Sequence, residues 1–422
     1  MLDAISELQS RGLIHDTTDI DELRKALKVG LTFYVGFDPT APSLHIGNLV
    51  QILTARRLQL LGNKPLALVG GATGLIGDPK MSGERSLNEA ELVTEWSRKL
   101  RLQLERFFDF DSSNSAIIVN NYEWTHRVSV LEFLRDIGKH FSVNRMLDRE
   151  AVSARLAGAG ISFTEFSYQV LQAFDYLHLH KNYKATLQTG GSDQWGNLTA
   201  GTDLIRRVTG NIVHALCTPL LTKSDGEKFG KTESGTVWLD PELTSPYSFY
   251  QFWLNTDDRD IGRMLKVFSF KSLDEIDLLL ETSQAEPHLR IAQRALAQEM
   301  TSLVHSEEEM LQAEKAAQVL FSGGDLYEIS EGALQSALTE AGLVSVKSID
   351  GKIPSAIDLL VLSGIVKSKT EARRMISEGA AWLNNQKLAE ENSEIEQKSL
   401  IYGRFLILRR GRRTVAGVEI LS

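Results

Sequence analysis

Cysteine is nearly absent from this sequence, since Cys217 is the only one among 422 residues. A single thiol excludes an intrachain disulfide and leaves no second thiolate for a zinc site, which suits a reducing compartment. Long apolar runs are absent too: none approaches the roughly 20 residues that span a bilayer. The first 20 residues carry acids and lack the apolar core of a signal peptide. We therefore expect a cytoplasmic protein with no structural metal and no membrane contact.

Charge is unevenly distributed along the chain. The net charge is −9, yet residues 351–422 hold 12 Lys and Arg against 8 Asp and Glu, a net of +4. The acidic total argues against a protein coated with nonspecific nucleic-acid contacts. The length and the 42% hydrophobic content predict two or three packed domains, the last of them basic.

Short apolar runs alternate with helix-length segments between residue 30 and about residue 220. These runs are TFYVGF, PLALVG, AIIVN and YKATLQ. The alternation predicts a largely parallel sheet wrapped by helices. Ligands of such sheets bind beyond the carboxyl ends of the strands, where glycine-rich turns leave room. Two turns of this kind are GGATGLIGDP (70–79) and TGGSDQWGN (189–197).

The second half of the chain has a different pattern. Residues 248–322 contain no strand-like run and are predicted to be helical, whereas residues 326–350 are weakly patterned and are interpreted as a linker or hinge. From about residue 353 we predict a compact α+β unit with two short helices, a turn at Asn384-Asn385 in AAWLNNQKL, and a hairpin in FLILRRGRRTVAGVEIL. Core candidates of the helical part are Leu278, Leu279, Leu280, Leu289, Ile291, Leu296, Met300, Leu303 and Leu311.

The segment YVGFDPTAPSLHIGNLVQILTARRLQLLG (34–62) leads from a strand into a helix at His45-Ile46-Gly47-Asn48. A helix amino terminus offers unpaired N–H groups and a positive dipole end, so phosphate binds there. Gly47 lets a flat group approach the backbone, and Thr40 and His45 can donate hydrogen bonds to phosphate oxygens. On these residues alone, an ordinary turn histidine is an equally good interpretation.

A second segment, KSDGEKFGKTESG, places Lys228 and Lys231 on a polar, glycine-bearing loop that continues into Thr232. Two lysines can clamp a triphosphate. Most Lys-Gly loops are simply solvated, and that alternative stays open on this segment alone.

Together, HIGN and KFGKT resemble the HIGH and KMSKS signatures of class I aminoacyl-tRNA synthetases, in the forms used by the tyrosine-specific family. GFDPTAPSLHIGN, GGATGLIGDP, GKHFSVNRM, GISFTEFSYQVLQAFDY and TGGSDQWGN resemble bacterial tyrosyl-tRNA synthetases in order and spacing, over essentially the whole chain. One departure is Asn48, where many class I enzymes have a second histidine. Its amide can still donate a hydrogen bond, so we expect activity to survive.

The resemblance implies an α/β fold with a Rossmann-like parallel-sheet catalytic domain, an α-helical domain and a small α+β S4-like RNA-binding domain. The expected ranges are 1–225 for the catalytic domain, 226–325 for the lysine signature with an anticodon-binding-type helical domain, 326–350 for the linker and 351–422 for the RNA-binding domain.

A polar stripe runs along the helix predicted in ISFTEFSYQVLQAFDYLHLH. Ser162 and Glu165 have capping-box spacing and mark the helix start, and Tyr168, Gln172 and Asp175 then fall on one face. Without the resemblance, such a stripe is more often solvent-facing than functional.

The resemblance implies that this stripe binds L-tyrosine. Asp175 and Tyr34 would bind the phenolic hydroxyl, so a phenylalanine would leave both groups unpaired at about 1–3 kcal/mol apiece. Tyrosyl-tRNA synthetases discriminate in this way without editing, and no inserted editing domain is evident between residues 80 and 190. The other implied tyrosine contacts are Asp78, Tyr168, Gln172 and Gln194.

The resemblance also implies an ATP site that stabilises the charge building on the phosphates, with Mg²⁺ as a phosphate ligand. Asp193 can accept hydrogen bonds from ribose hydroxyls or cap the helix that begins near Trp195. Lys80 and Arg85 align more loosely, and either hold pyrophosphate or are solvated. The expected catalytic residues are Thr40, His45, Lys228, Lys231 and Thr232. The expected ATP-binding residues add Gly36, Asp38, Gly47, Asn48, Gly191, Asp193, Lys80 and Arg85.

The basic tail resembles the S4-like RNA-binding module of bacterial tyrosyl enzymes. Ser368 and Glu371 have capping-box spacing on a short helix surrounded by basic residues, and RRGRR at 409–413 adds a second basic strip. A merely solvated basic helix is the alternative. The expected RNA-binding residues are Lys367, Lys369, Arg373, Arg374, Arg409, Arg410, Arg412 and Arg413.

The implied partners are tRNA(Tyr), L-tyrosine, ATP and a second copy of the chain, joined through residues near 120–160. Two rival functions remain. Another nucleotidyl-transferring enzyme of the same superfamily, including the tryptophan-specific synthetase, is disfavoured by Tyr34 with Asp175. A catalytically silent RNA-binding relative is disfavoured by the two intact signatures.

Overall fold

The computed structural model describes residues 3–79, 87–147, 150–158, 160–226, 229–232, 235–322, 324–348, 352–388, 395–411 and 414–421. The chain divides into two compact units. The first comprises Met1–Asp240 with Asp257–Glu281, and the second comprises Pro241–Thr256 with Thr282–Ser422. This division differs from the predicted ranges, because residues 257–281 belong to the first unit.

The strands are β1 Asp16–Thr17, β2 Thr32–Phe37, β3 Lys64–Val69, β4 Ile117–Asn120, β5 Ala185–Gly191, β6 His214–Thr218, β7 Lys231–Thr232, β8 Gly235–Thr236, β9 Leu343–Lys347, β10 Ala381–Leu383, β11 Gln386–Lys387, β12 Phe405–Arg410 and β13 Thr414–Leu421.

The helices are α1 Ala4–Ser10, α2 Ile20–Val29, α3 Ile46–Leu60, α4 Thr73–Ile76, α5 Ala90–Leu104, α6 Tyr122–Thr125, α7 Val130–Glu132, α8 Val143–Leu147, α9 Glu150–Leu156, α10 Phe163–Tyr183, α11 Trp195–Thr209, α12 Pro246–Leu254, α13 Ile261–Phe268, α14 Leu273–Ala285, α15 Ile291–Val304, α16 Glu307–Ser322, α17 Glu331–Gly342, α18 Ala356–Leu362 and α19 Lys369–Ser377. Single 3₁₀ or π turns lie at Phe133–Ile137, Gly138–His140, Ser192–Gln194, Pro287–Leu289, Leu326–Glu328 and Gln397–Ser399.

The first unit is built on a six-stranded sheet in the order β1-β6-β5-β2-β3-β4. Strands β2 to β6 pair in parallel, and only β1 is antiparallel, so the predicted largely parallel sheet is confirmed. The chain leaves β2 for β3 on one side and places β5 on the other. The carboxyl end of β2 is therefore a topological switch point, where open sheets of this kind bind ligands.

Helix α10 begins and ends at recognisable signals. The Ser162 hydroxyl accepts a hydrogen bond from the Glu165 N–H, as the capping-box spacing predicts. The Glu165 carboxylate pairs with Arg155 at 3.0 Å, and both side chains are almost fully buried. The helix ends at Lys184 in the left-handed conformation, with φ 61°. Buried Val170, Ala173, Leu177 and Leu179 pack into the core with strand residues Leu66 and Ala185.

The predicted core of the helical part is only partly correct. Leu296 and Met300 on α15 are fully buried, whereas Leu278, Leu289 and Leu311 are exposed. An apolar residue in a helical stretch identifies the helix, but its direction depends on neighbours that the local sequence does not specify.

The second unit ends in a five-stranded sheet in the order β11-β10-β12-β13-β9. The predicted turn at Asn384-Asn385 connects β10 and β11, with φ 45° and 62°, and the predicted hairpin is β12–β13. The predicted linker is instead structured: residues 326–350 contain α17 and β9, and β9 pairs in parallel with β13. No helix within the described part of the chain is long and apolar enough to cross a bilayer.

Gly201 allows α11 to approach α10 closely. A Cβ at this position would lie 2.8 Å from Tyr176 Cδ1 and 3.3 Å from Gln188 Oε1. We expect Gly201→Ala to reduce the free energy of unfolding by about 1–3 kcal/mol, because both neighbours are buried and must shift. Urea unfolding followed by circular dichroism measures the loss.

Gly332 is the matched control, because it also lies within a helix, α17, but has nothing within 4 Å of its Cβ direction. Gly332→Ala should be neutral or stabilise the protein by up to about 1 kcal/mol. Equal losses in the two variants would contradict close packing at Gly201.

Candidate active site

The first signature segment forms a hydrogen-bonded cap at the start of α3. His45 is the N-cap residue: its Nδ1 accepts from the Gly47 N–H at 3.0 Å, and the Asn48 Oδ1 accepts from the His45 N–H at 3.0 Å. In the neutral imidazole, the proton is then carried on Nε2. Asn48 therefore holds the corner through its amide oxygen, a role that does not need an imidazole.

The backbone donors of this turn are already used. The Ile46 N–H donates to the Val237 carbonyl at 3.1 Å, and the Asn48 N–H donates to the His45 carbonyl at 2.8 Å. With the Gly47 N–H bound to the imidazole, the prediction of unpaired N–H groups is wrong for these three residues in this conformation. The positive end of the helix dipole still favours an anion at this corner.

The second signature segment lies directly against the first. Val237 links them, because its N–H donates to the Gly230 carbonyl at 3.1 Å and its carbonyl accepts from Ile46. Two residues on, the Leu239 N–H donates to the Leu44 carbonyl at 2.9 Å. A Cβ on Gly230 would lie 3.3 Å from the Ile46 side chain. Segments nearly 200 residues apart in sequence thus share one edge of the sheet.

The remaining phosphate candidates are only partly described. Thr40 is exposed, and its N–H donates to the Asp38 carbonyl at 2.8 Å. Lys231 and Thr232 form β7, which pairs antiparallel with β8. Three predicted residues, Lys228, Lys80 and Arg85, lie outside the described residues.

Tyr34 on β2 and Asp175 on α10 are both almost fully buried. The Tyr34 ring packs edge-on against Tyr176, with 5.2 Å between centroids. Among the described residues, the Tyr34 hydroxyl has no hydrogen-bond partner. Burial, with the nearby charge of Asp175, raises the pKa of Tyr34 well above its usual value. A buried hydroxyl that stays protonated and lacks a partner is a donor ready for a ligand.

Two side-chain hydrogen-bond donors orient the Asp175 carboxylate. Asn121 Nδ2 donates to one oxygen at 2.9 Å, and Trp124 Nε1 donates to the other at 2.8 Å. Burial raises the pKa of Asp175 to about 7, while these two hydrogen bonds oppose that shift. Each carboxylate oxygen can accept a further hydrogen bond, so a guest hydroxyl can be shared between Asp175 and Tyr34.

Asp78 is the centre of a small amide network. Gln194 Nε2 donates to its Oδ2 at 2.7 Å, Asn197 Nδ2 donates to its Oδ1 at 3.2 Å, and Asn197 also donates to Gln194 at 2.8 Å. The structure thus brings together two predicted tyrosine contacts, Asp78 and Gln194. A third, Gln172, has a buried Oε1 without a partner in the described part of the chain.

Tyr168 contacts Asp38, a residue predicted for ATP. Its hydroxyl donates to Asp38 Oδ2 at 2.6 Å, and the Thr73 hydroxyl donates to Asp38 Oδ1 at the same distance. Burial, followed by the charges of Asp38 and Asp78, raises the pKa of Tyr168 well above its usual value. The structure thus brings Asp38, predicted for ATP, into contact with Tyr168, predicted for tyrosine.

The second glycine turn follows β5. A Cβ on Gly191 would lie 2.6 Å from Asp193 Oδ1, so glycine is needed for this side chain to fold back. Helix α11 has Gln194 as its N-cap residue and no side-chain cap, which rules out helix capping by the exposed Asp193. Gly36 is exposed, whereas Val35 and Phe37 on either side of it in β2 are buried. As a glycine, it places no Cβ at this exposed point of the strand.

Four supporting residues were not identified from the sequence: Thr73, Asn121, Trp124 and Asn197. Asn121 was detectable in principle, because it follows the apolar run AIIVN and therefore lies at the carboxyl edge of the sheet. The indole of Trp124 gave no such signal.

The basic residues of the second unit divide by exposure. Lys367, Lys369, Arg373, Arg374 and Arg410 are exposed on or beside α19 and β12. Arg409 is buried and donates to Asn385 Oδ1 at 2.9 Å, so its prediction as an RNA contact is wrong. Arg412 and Arg413 lie outside the described part of this unit.

Among the described residues, no group of three or more His, Cys, Asp or Glu side chains is arranged to hold a metal ion.

Comparison with known proteins matches both parts of the chain. Residues 27–322 match the family described as tRNA synthetases class I (W and Y), and residues 335–416 match the tyrosine–tRNA ligase SYY-like C-terminal domain. The tyrosine–tRNA ligase of Streptomyces avermitilis is 55% identical over 423 residues, covering 100% of this chain and 99% of the relative. That of Kineococcus radiotolerans is 54% identical with the same coverage.

A solved structure agrees with these matches. The C-terminally truncated mitochondrial tyrosyl-tRNA synthetase of Aspergillus nidulans superposes with a TM-score of 0.69 at 30% identity, covering 76% of this chain and 95% of that one. The chain belongs to the tyrosine–tRNA ligase family of class I aminoacyl-tRNA synthetases.

Proposed function

We propose that this chain activates L-tyrosine with ATP to form tyrosyl-adenylate and pyrophosphate, and then transfers tyrosine to the 3′-terminal adenosine of tRNA(Tyr). The observation that carries the substrate assignment is the buried Tyr34 hydroxyl, which has no hydrogen-bond partner among the described residues and interacts electrostatically with Asp175. A ligand hydroxyl can satisfy this donor and this acceptor together, whereas the ring of phenylalanine cannot, which favours tyrosine.

The first step needs positioning more than it needs a base. The tyrosine carboxylate is already an anion and attacks the α-phosphorus of ATP directly, with pyrophosphate leaving. Rate enhancement then comes from alignment and from stabilising charge on the phosphates. We assign the latter to His45 and Thr40 from the first signature and Lys228, Lys231 and Thr232 from the second. ATP enters as its magnesium complex.

The substrate ammonium group is assigned to the carboxylate side of the pocket. Asp78 and Asp38 supply negative charge, and Tyr168 and Gln172 from α10 complete the contacts with Gln194. Gly36, Gly47, Asn48, Gly191 and Asp193 are assigned to the nucleotide, with Asp193 on the ribose. Lys80 and Arg85 are proposed for the leaving pyrophosphate.

We propose a homodimer and a cytoplasmic location. The support for a dimer is apolar surface at residues 122–163: Leu131 is 80% exposed and Phe163 is 77% exposed, with Val130 and Leu134 exposed beside Leu131. Apolar side chains at this density mark association surfaces. The cytoplasm is proposed because a tRNA ligase acts where tRNA is used.

Tyrosine-dependent exchange of pyrophosphate into ATP tests the proposed activity. Exchange should depend on tyrosine and be far weaker with phenylalanine or tryptophan. Tyr34→Phe should reduce the preference for tyrosine over phenylalanine by about tenfold, because it removes one hydrogen bond to the substrate hydroxyl. Exchange with tryptophan alone would establish the tryptophan-specific rival, and no exchange with any amino acid would favour the catalytically silent one.

Lys231→Ala tests the second signature. The variant should lower the rate constant for adenylate formation by about 100-fold and leave tyrosine affinity unchanged, since its charge is used in the transition state. Rapid-quench kinetics and equilibrium dialysis separate the two quantities. An unchanged rate with weakened tyrosine binding would refute the assignment.

The exposed basic residues of the second unit are proposed to bind tRNA phosphates. Deleting residues 351–422 would remove β13, the strand that pairs with β9, and would therefore disturb the fold. Substitutions of single residues test the proposed RNA contacts better. Lys367→Ala with Arg374→Ala should leave pyrophosphate exchange intact, raise the KM for tRNA by about tenfold and reduce its salt dependence.

Lys398→Ala is the control for this pair, because Lys398 is exposed in the same unit but lies outside the predicted basic strip and pairs with Glu396 at 2.7 Å. Equal effects of the control and the double variant would count against a specific RNA surface.

A further inference from the structure

The segment that leads into the second signature is fastened to the first turn of α13. The Ser224 N–H donates to Asp260 Oδ2 at 2.9 Å, and the Arg263 guanidinium donates to the Thr222 carbonyl. Arg263 also pairs with Asp260 Oδ1 at 3.0 Å. Asp260 and Arg263 are thus hydrogen-bonded to the backbone at both ends of residues 222–224. We term residues 222–224 the loop base.

A ring contact adds a second attachment further along. Phe229 lies against Phe268 at the end of α13, with 5.4 Å between ring centroids. Gly230 follows and packs against Ile46 of the first signature. The approach to β7 therefore runs along α13 before it reaches the nucleotide corner.

Helix α13 is itself anchored to the body of the first unit by two buried arginines. Arg57 of α3 donates to the Ser269 carbonyl and stacks on Phe270 at 4.7 Å. Arg11 donates to the same Ser269 carbonyl at 2.9 Å and to the Lys271 carbonyl at 2.7 Å. Because these contacts hold the carboxyl-terminal end of α13, Asp260 and Arg263 at the start of the helix have a fixed position.

We propose that Asp260 and Arg263 are positioning residues for tyrosine activation: they fix the loop base so that Lys231 reaches the phosphates in the transition state. This inference rests on the proposed function of the second signature. Neither residue is part of the signature, and neither is assigned to substrate.

The exposure of Arg263 distinguishes a positioning role for this side chain from a merely structural one. Arg263 is 43% exposed, and exposed ion pairs contribute little to stability, about 0–1 kcal/mol. Its bond to a loop carbonyl, in contrast, constrains where the following residues lie. Small displacements of a catalytic group cost large factors in rate, so the loss should appear in the rate and not in the stability.

The test measures adenylate formation in single-turnover experiments on the full-length protein. Arg263→Ala should lower the rate constant by about tenfold, with tyrosine affinity and thermal stability unchanged. Arg263→Lys should recover part of the rate, because an ammonium can still donate to the Thr222 carbonyl. Asp260→Ala should reproduce the loss and provides a second variant.

Arg206→Ala is the matched control. Arg206 pairs with Asp203 on α11 with the same i, i+3 spacing and the same 3.0 Å distance. Its removal should leave the rate constant unchanged. A loss equal to that of Arg263→Ala would overturn the proposal.

A double variant identifies the route of action. If the loop base acts through Lys231, Arg263→Ala should cause no further loss in the Lys231→Ala background. Additive losses would overturn the inference. A slow Lys231→Ala with a normal Arg263→Ala would overturn it while leaving the proposed function intact, whereas a normal Lys231→Ala would refute the role of the second signature and, with it, the inference.

Discussion

The proposed recognition of tyrosine depends on a buried carboxylate that two side-chain donors orient. Asp175 is oriented by Asn121 and Trp124, and burial raises its pKa to about 7. Burial keeps this titratable group away from water, and the Tyr34 hydroxyl, also buried, has no hydrogen-bond partner among the described residues. We propose that a ligand hydroxyl completes this arrangement and that a ligand without a hydroxyl leaves both groups unsatisfied, which is the basis of the proposed selectivity for tyrosine.

The chemistry lies at the same sheet edge because of strand order. With β3 on one side of β2 and β5 on the other, the end of β2 is a switch point, where sheets of this kind bind ligands. The first signature follows β2, and the second reaches it through Gly230 and Val237. His45 and Asn48 hold each other in place, so the corner is ordered by its own side chains before any nucleotide arrives.

Much of this was accessible from the sequence because the signals were local or repeated along the chain. The alternating apolar runs predict the parallel sheet. Asn384-Asn385 predicts a hairpin turn because asparagine tolerates positive φ. The resemblance gave the family, which the comparisons confirm, and it predicts the paired roles of Tyr34 and Asp175.

What could not be predicted depends on long-range neighbours. The weakly patterned stretch before residue 350 contains strand β9 because β9 pairs with β13, which lies about 70 residues later in the sequence. Arg409 is buried because Asn385 accepts its hydrogen bond, which no basic run reveals. Asp38 contacts Tyr168 across 130 positions of sequence, so this pairing could be found only in the fold.

The most direct test is a crystal structure of the protein with a non-hydrolysable tyrosyl-adenylate analogue. The phenolic oxygen should lie within hydrogen-bond distance of both the Tyr34 hydroxyl and the Asp175 carboxylate, with the phosphate at the His45 corner. A phenol ring bound elsewhere, with Tyr34 and Asp175 closed on each other, would contradict the central claim.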